Sequence, residues 1–269
     1  MKKLIALLLS LTLLLGVCAC NQTTGNGNDL FQAASPSTSA LCFFWAEKDS
    51  SLTGWIYDSA VIQEILSALS QVDAVLVDRW TPEKADYPVY GISIMDTEGY
   101  PIEAAWTNGY LILQDGSVYK FNYDFSKLKE SYDWDDITER PYLPCQYYLA
   151  RNGSQWYPKF LTPAEHEPAP ENISLTVTAA DNNQVTALLT NQGNEEWLYG
   201  EAYSLDVLLD GVWYSVPMEP SVNWGFTSIG YTLGAGSSKE KSYYLNMYGD
   251  LPSGTYRLVV EGLTAKFEI

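Results

Sequence analysis

The C-terminal third of the chain carries the pattern that most restricts its fold. Short apolar stretches recur there at nearly even spacing, and turn-forming pairs such as Asn182-Asn183 and Asp210-Gly211 separate them. We expect strands at 173–178, 185–190, 202–209, 212–216, 226–233, 239–245, 255–260 and 264–269. Many short strands at even spacing are typical of two sheets packed face to face, so residues 172–269 predict an all-β sandwich.

Tyr256 gives this predicted sandwich a specific landmark. It follows Gly254 by two residues, at the start of a late strand in the stretch LPSGTYRLVV. In immunoglobulin-like sandwiches, a tyrosine at such a corner bonds through its hydroxyl to backbone a few residues upstream. We therefore predict a structural role for Tyr256, in which its hydroxyl holds the turn.

Three stretches resemble, in order and spacing, the bacterial immunoglobulin-like domains found at the C-terminus of Gram-positive lipoproteins. They are YGEAYSLDVLLDGVWYSVP, FTSIGYTLGAGSSKEKSYYL and LPSGTYRLVV, and the resemblance covers about residues 171–269. Its markers are Gly200, Glu201, Asp210, Gly211, Trp213, Tyr214, Pro252, Gly254, Tyr256 and Arg257. The cysteine pair of antibody domains is missing from this stretch. The resemblance implies an immunoglobulin-like fold that serves as a spacer or binding module, without catalytic residues.

Residues 41–161 predict an α+β domain. Asp58 is a suitable N-cap for a helix, and the apolar residues after it recur at helical spacing: Val61, Ile62, Ile65, Leu66, Leu69 and Val72. Strands are expected at 42–46 and 74–80. Turn pairs then divide the apolar stretches that follow: Glu98-Gly99, Asn108-Gly109 and Asp115-Gly116. We expect an antiparallel meander with one helix packed on it. The hairpin motif DGSVYKF is similar to hairpins in Gram-positive lipoproteins and membrane sensor proteins.

A proline-rich stretch separates the two predicted domains. LTPAEHEPAPE contains Pro163, Pro168 and Pro170, and prolines at this density favour an extended polyproline conformation. We therefore predict a linker over 162–171, with the boundary near residue 166, that spaces the two domains semi-rigidly.

The N-terminus predicts export and anchoring. Lys2 and Lys3 precede an apolar run that is too short to span a bilayer but fits the core of a signal peptide. Val17-Cys18-Ala19-Cys20 resembles the lipobox of bacterial lipoproteins, so residues 1–20 are expected to be a lipoprotein signal peptide that ends at a lipid-bearing Cys20. Acyl chains such as palmitate on Cys20 would hold the protein on the extracellular face of the cell membrane. The alternative is an ordinary cleaved signal with incidental cysteines.

The next stretch and the overall charge restrict the partners. Residues 21–40 are rich in Asn, Thr, Gly and Ser, and we expect them to form a flexible tether. The formal net charge of −18 argues against nucleic acids and anionic lipid surfaces, and so favours neutral or cationic partners. The alternative is that acidity only keeps an exported protein soluble.

Two cysteines bracket the first predicted domain. Outside the reducing cytosol, Cys42 and Cys145 could form a disulfide that ties the ends of this domain together. The alternative is that each is a small buried apolar residue. Neither belongs to a CxxC motif, which argues against metal binding and redox catalysis.

The sequence offers little support for catalysis, a metal site or a cofactor. The single histidine, His166, lies in the predicted linker. Asp133, Asp135 and Asp136 suggest a calcium loop, but an EF-hand that starts at Asp133 would need Gly and Glu where Thr138 and Pro144 stand. We therefore expect a solvated acidic loop, and we predict a protein that is not an enzyme.

The aromatic content is high, with 20 Tyr, 9 Trp and 8 Phe. Sheets favour aromatic residues, so most of these side chains are expected in sheet cores. Four tryptophans near turn-like or polar stretches are the predicted ligand contacts: Trp134, Trp156, Trp197 and Trp224.

Two functions remain. The first is a non-catalytic, membrane-anchored surface lipoprotein that acts as a binding or structural module for a protein or cell-wall-associated partner. The second is a carbohydrate-binding lipoprotein that stacks sugars on exposed Trp and Tyr rings. A flat row or a groove of exposed aromatic rings would favour the glycan, whereas a broad patch would favour a protein partner.

Overall fold

The computed structural model describes residues 24–26, 30–31, 39–96, 99–140, 142–220, 222 and 224–269. The predicted signal peptide, Cys20 and most of the predicted tether lie outside these residues. The described chain is mostly antiparallel β-sheet with a few short helices. Its helices are α1 (Ser59–Ser70), α2 (Ser126–Ser131) and α3 (Gln146–Leu149), with 3₁₀ turns at Pro82–Lys84, Pro158–Phe160 and Asn246–Tyr248. None of the helices in these ranges is long and apolar enough to cross a membrane.

One antiparallel sheet of nine strands, which we call the N-terminal sheet, accounts for the first half of the chain. Its strands are β1 (Thr24–Asn26), β2 (Ala40–Glu47), β3 (Ser50–Ile56), β4 (Asp73–Leu76), β5 (Val89–Asp96), β6 (Gly99–Thr107), β7 (Tyr110–Leu113), β8 (Val118–Phe121) and β9 (Asp135–Glu139). They lie in the order β1-β4-β8-β7-β6-β5-β2-β3-β9, so β5 to β8 form the predicted meander. At the β6–β7 turn, Asn108 and Gly109 both have positive φ, as a tight hairpin requires.

Helix α1 confirms the helix predicted after Asp58. The Asp58 Oδ1 atom accepts a hydrogen bond from the Ala60 N–H at 2.8 Å, which satisfies one of the free donors at the helix start. The buried residues of α1 pack against the sheet face that carries Phe43 and Ile92: Ile62, Ile65, Leu66 and Leu69. Burial of each such side chain contributes about 1.5–3 kcal/mol, so this apolar stripe fixes the helix on that face.

The opposite face of the N-terminal sheet is covered by residues 142–161, which we call the connecting segment. Pro144 lies directly over Gly91 of β5, where an added Cβ would come within 2.2 Å of the Pro144 Cγ. The Cys145 Sγ atom lies 3.6 Å from the Glu103 carbonyl oxygen on β6. Sequence reasoning placed one helix on this sheet but did not find this second covering layer.

The second half of the chain forms the predicted sandwich. Its strands are β10 (Ile173–Ala180), β11 (Gln184–Asn191), β12 (Trp197–Tyr199), β13 (Ser204–Leu209), β14 (Val212–Ser215), β15 (Tyr231–Leu233), β16 (Ser238–Tyr244), β17 (Thr255–Val260) and β18 (Leu263–Glu268). They pair as β10-β11-β16, β12-β15 and β14-β13-β17-β18, and side chains from these sheets share one core. The prediction missed β12, and the strand expected over 226–233 is shorter than predicted.

Tyr256 has the structural role that the sequence predicted. Its hydroxyl donates a hydrogen bond to the Pro252 carbonyl oxygen at 2.6 Å, and its side chain is buried. The Trp156 Nε1–H of the connecting segment in turn donates to the Tyr256 hydroxyl at 2.9 Å. The turn that Tyr256 holds is therefore also a contact between the sandwich and the preceding segment.

The proline-rich stretch lies along the sandwich, and the expectation of a spacer is corrected here. The Ser215 N–H donates to the Thr162 carbonyl oxygen, and the Ala164 N–H donates to the Trp213 carbonyl oxygen, both at 2.9 Å. Strand β14 is an edge strand, so its backbone groups are open to such pairing. Prolines cannot donate, but the residues between them can, which lets this stretch dock on the edge.

The connecting segment shares a core with both halves of the molecule. One continuous hydrophobic cluster joins its buried residues Tyr147, Leu149 and Phe160 to Ala105 of β6 and to Leu258 of β17. Because side chains from three parts of the chain interdigitate, this segment fixes the sandwich against the N-terminal sheet.

Candidate binding site

A cleft of about 410 Å³ opens where the connecting segment meets the sandwich. We call it the Glu103 cleft, after the carboxylate on its wall. The side chains that matter for its chemistry are Glu103 of β6, Tyr142 and Tyr147 of the connecting segment, and Tyr203, Met218 and Tyr248 of the sandwich. A volume of this size and a position between two packed units are typical of small-ligand sites.

Glu103 points into the cleft because of its register in β6. Alternate residues of a strand lie on the same face, so Glu103 shares its face with Ala105, which belongs to the core that the connecting segment covers. The Cys145 N–H donates to the Glu103 Oε1 atom at 3.3 Å. One carboxylate oxygen is thus engaged by backbone.

Burial and charge single out Glu103 from the other acids of the chain. Burial raises the pKa of its carboxyl group, and the hydrogen bond from the Cys145 N–H lowers it by less. Among the described residues that line the cleft, Glu103 is the sole charged group, and no lysine or arginine stands beside it. Arg140 lies just outside this lining, where its guanidinium donates to the Tyr142 hydroxyl at 3.2 Å. No ion pair joins Glu103 to a cation among the described residues, so the cleft presents a carboxylate without such a partner.

Tyrosine rings form most of the remaining wall. Tyr147 and Tyr248 are almost fully buried, and the Tyr203 hydroxyl donates to the Tyr244 carbonyl oxygen. Burial raises the pKa of Tyr203 to about 12, so the hydroxyl stays protonated. Tyr142 and Met218 stand at the rim, with 48% and 52% of their surfaces exposed. A rim of Tyr and Met is adaptable, because thioether and phenol side chains fit varied apolar shapes.

The wall of the cleft also includes a cysteine. The Cys145 thiol on its wall is buried, which raises its pKa well above the ordinary value and keeps it in the unreactive protonated form. His166 lies elsewhere, against Asp206 of β13. Across the described ranges, no group of three or more His, Cys, Asp and Glu residues is arranged to hold a metal ion.

Comparison with known families identifies the second half of the chain. The model of the bacterial Ig-like domain family matches residues 171–268. The sandwich is a bacterial immunoglobulin-like domain. No curated protein matches the chain. The cleft thus has one wall from the immunoglobulin-like domain and another from the sheet and segment that precede it.

Cys42 and Cys145 are both buried free thiols, so the predicted bridge is corrected. Cys42 on β2 pairs with Ser93 on β5, which pairs with Glu103 on β6, and Cys145 lies over Glu103. Adjacent strands are about 4.8 Å apart, so β5 separates the two cysteines by about 10 Å, beyond the reach of a disulfide. Cys42 and Cys145 therefore fit the alternative, in which each is a small buried apolar residue. Burial raises the pKa of Cys42 to about 12.

Trp156 is a core residue, so its prediction as a ligand contact is wrong. Its side chain is only 5% exposed, and Tyr147 meets it edge to face with ring centroids 5.8 Å apart. Together with the hydrogen bond to Tyr256, these contacts leave no ring face for a ligand.

The other three predicted tryptophans are half-buried and lie in separate places. Trp134 stacks on Phe43 at 4.9 Å, on the helix side of the N-terminal sheet. Trp197 stacks on Tyr199 at 4.7 Å and borders a shallow surface depression beside the proline-rich stretch. Trp224 packs against the core of the immunoglobulin-like domain. The structure does not gather them into one surface, and each uses part of its ring to cover core.

Sequence reasoning did not find Glu103, although one signal was present. In GYPIEAAWT the glutamate is the lone charged residue of a strand whose neighbours on both faces are apolar or small. A charged side chain is costly in a strand that is buried on both faces, so it is expected to pair with another group or to serve a function. The tyrosines and Met218 carry no comparable signal, because their convergence depends on the packing of the connecting segment.

Proposed function

We propose that the protein is a non-catalytic surface lipoprotein that binds a protein or cell-wall-associated partner in the Glu103 cleft. In this proposal, residues 41–161 form an α+β domain, 162–171 a docked linker and 172–269 the immunoglobulin-like domain. The observation that carries it is the Glu103 carboxylate, which is half-buried in a largely apolar cleft without a cation among the described residues that line it.

Glu103 costs the folded protein stability in the unbound state. A carboxylate moved out of water without a compensating charge is disfavoured, and the same burial raises the pKa of the Glu103 carboxyl group. A partner that brings a hydrogen-bond donor or a positive charge would relieve this cost on binding. The arrangement therefore fits a site whose electrostatics are completed by a ligand.

Anchoring is the second part of the proposal, and it rests on the lipobox sequence. Cys20→Ser should abolish acyl labelling and release the protein into the medium. Cys18→Ser is the matched control, since it removes the neighbouring cysteine and should leave labelling intact. Continued labelling of the Cys20→Ser protein would contradict the anchor.

Binding at the cleft can be tested in cells that carry the anchored protein. A photo-crosslinking amino acid at Met218, on the rim, should give a discrete adduct, whereas the same group at Ile229, which is equally exposed but lies away from the cleft, should not. Glu103→Gln should reduce the Met218 adduct. Glu196→Gln removes one exposed carboxylate elsewhere and controls for net charge. Equal adducts at Met218 and Ile229, or an adduct indifferent to Glu103, would contradict binding there.

Carbohydrate binding is the second candidate function, at residues other than the four predicted tryptophans. Trp55 on β3 and the adjoining Tyr57 have nearly parallel rings, 6° apart with centroids at 6.3 Å, and Tyr57 is 51% exposed. Parallel aromatic rings at a surface are suited to contact sugar rings. A glycan array probed with the wild type and with Tyr57→Ala tests this. Glycan binding that survives Tyr57→Ala would exclude the site.

A further inference from the structure

The cleft holds the Glu103 carboxyl group, and among the described residues only the Cys145 N–H donates to that group. The Glu103 Oε1 atom already accepts the Cys145 N–H, which leaves the second oxygen as the stronger remaining acceptor. A guanidinium prefers both oxygens of a carboxylate, because its paired N–H groups bind side by side. An ammonium is a compact charge that needs only one oxygen.

The walls suit an ammonium at the end of an apolar chain. Tyrosine faces attract cations, and Arg140 and Arg151 of this chain already lie over the rings of Tyr142 and Tyr147, at 5.9 and 5.0 Å from the centroids. Tyr203 and Tyr248 line the cleft without a cation over them among the described residues, and the thioether of Met218 at the rim is suited to pack against methylene groups. The volume of about 410 Å³ admits a side chain rather than a folded element.

The same chemistry occurs inside this chain. The Lys241 ammonium of β16 lies over the rings of Tyr231, Tyr243 and Tyr199, at 4.5, 5.2 and 5.6 Å from their centroids. The fold thus already holds one lysine among tyrosines. The Glu103 cleft presents tyrosines and a carboxylate without the lysine.

We propose that the Glu103 cleft binds a primary amine on a flexible alkyl chain, such as a lysine side chain of the partner. This inference rests on the proposed function and specifies the chemistry of its ligand. The amine donates to the outward Glu103 oxygen, the alkyl chain lies along the tyrosine and Met218 walls, and no bond is made or broken.

Methyl NMR of the full-length protein in phosphatidylcholine nanodiscs tests this, with the labelled Met218 methyl group as reporter of cleft occupancy. The probes are Nα-acetyl-lysine methylamide, its norleucine analogue without the amine, and its arginine analogue. We expect the lysine probe to shift the Met218 signal at a concentration about tenfold lower than the norleucine probe requires. The arginine probe should also require a higher concentration than the lysine probe. Glu103→Gln should erase the advantage of lysine over norleucine, and Glu196→Gln should leave it.

The possible failures separate the two proposals. If the norleucine probe binds as tightly as the lysine probe, or the arginine probe binds more tightly, the amine inference is overturned while the cleft still binds ligand. If no probe shifts Met218 but the adduct in cells depends on Glu103, the partner exists and is not an amine. If that adduct is also missing, the proposed function itself fails.

Discussion

Two carboxylates in the two halves of this molecule are buried in opposite ways. Asp206 on β13 is fully buried, and its Oδ2 atom lies 2.5 Å from the Arg257 Nε atom and 2.7 Å from the His166 Nε2 atom. Glu103 on β6 is half-buried, and its Oε1 atom accepts a single backbone N–H from Cys145. The first charge is paired with Arg257 and His166, whereas the second has no cation partner among the residues that the structure describes.

This difference separates an acid that holds the fold together from the acid on which the proposed function rests. Asp206 of β13 binds Arg257 of β17 and His166 of the proline-rich stretch, so it holds these three elements together. Glu103 forms no ion pair with another described residue, and it faces an open cleft. Acidic residues that have a shifted pKa and no charged partner within the fold are candidates for binding sites. The pairing of Asp206 with Arg257 shows that a buried acid in this fold can have a cation beside it.

The largest effect is expected when the paired acid is neutralised. Asp206→Asn leaves the Arg257 guanidinium, which also lies over the Trp213 ring at 4.5 Å, without its carboxylate. We expect a loss of about 3 kcal/mol in the free energy of unfolding, measured by urea denaturation. Asp210→Asn, in the exposed turn after β13, is the matched control and should change stability little. A loss below about 0.5 kcal/mol for Asp206→Asn would remove the contrast between the two acids.

The unpaired acid should respond in the opposite direction. Burial raises the folded-state pKa of Glu103 above its unfolded value, so the wild type loses stability as pH rises through that folded-state pKa. Glu103→Gln removes this loss, and we expect a gain on the order of 1 kcal/mol near neutral pH, alongside weaker ligand binding.

Urea denaturation at several pH values checks this sign. The difference between Glu103→Gln and the wild type should shrink as pH falls below the raised pKa of Glu103, because the wild-type carboxyl group is then also neutral. A Gln variant that is less stable at neutral pH would show that the carboxylate has a stabilising partner within the fold.

The smallest effect concerns the histidine that joins Asp206 to the proline-rich stretch. His166→Ala removes one contact of Asp206 while Arg257 remains, so we expect a loss of about 0.5 kcal/mol in stability and faster proteolysis within 162–171. Glu167→Ala, at the next and exposed position, is the control. Equal cleavage rates in the two variants would show that backbone pairing with β14 alone holds the stretch.

Local rules explain which features could be predicted from the sequence. The Asp58 cap, the turns at Asn108-Gly109 and Asp210-Gly211, and the Tyr256 hydrogen bond depend on a few neighbouring residues, and the sequence predicts each of them. Most strands of the sandwich were also found, because alternation and turn pairs are short-range signals.

Features that depend on distant packing could not be found in this way. The connecting segment crosses the sheet because Gly91 leaves room for Pro144, a match between positions far apart in sequence. That crossing buries Cys145 away from Cys42, hides Trp156 and creates the Glu103 cleft. Spacing along the chain therefore suggested a disulfide and a ligand contact that packing excludes.

The hydrogen bond from Trp156 to Tyr256 has a consequence for how such a module can be exchanged between proteins. The family match begins at residue 171, yet a tryptophan outside it covers the buried corner on which the last strands depend. A fragment that begins at that boundary would expose this apolar corner to water, which would favour self-association. Recombination or engineering that moves the immunoglobulin-like domain should therefore carry residues 142–170 with it, so that the transferable unit is larger than the recognisable one.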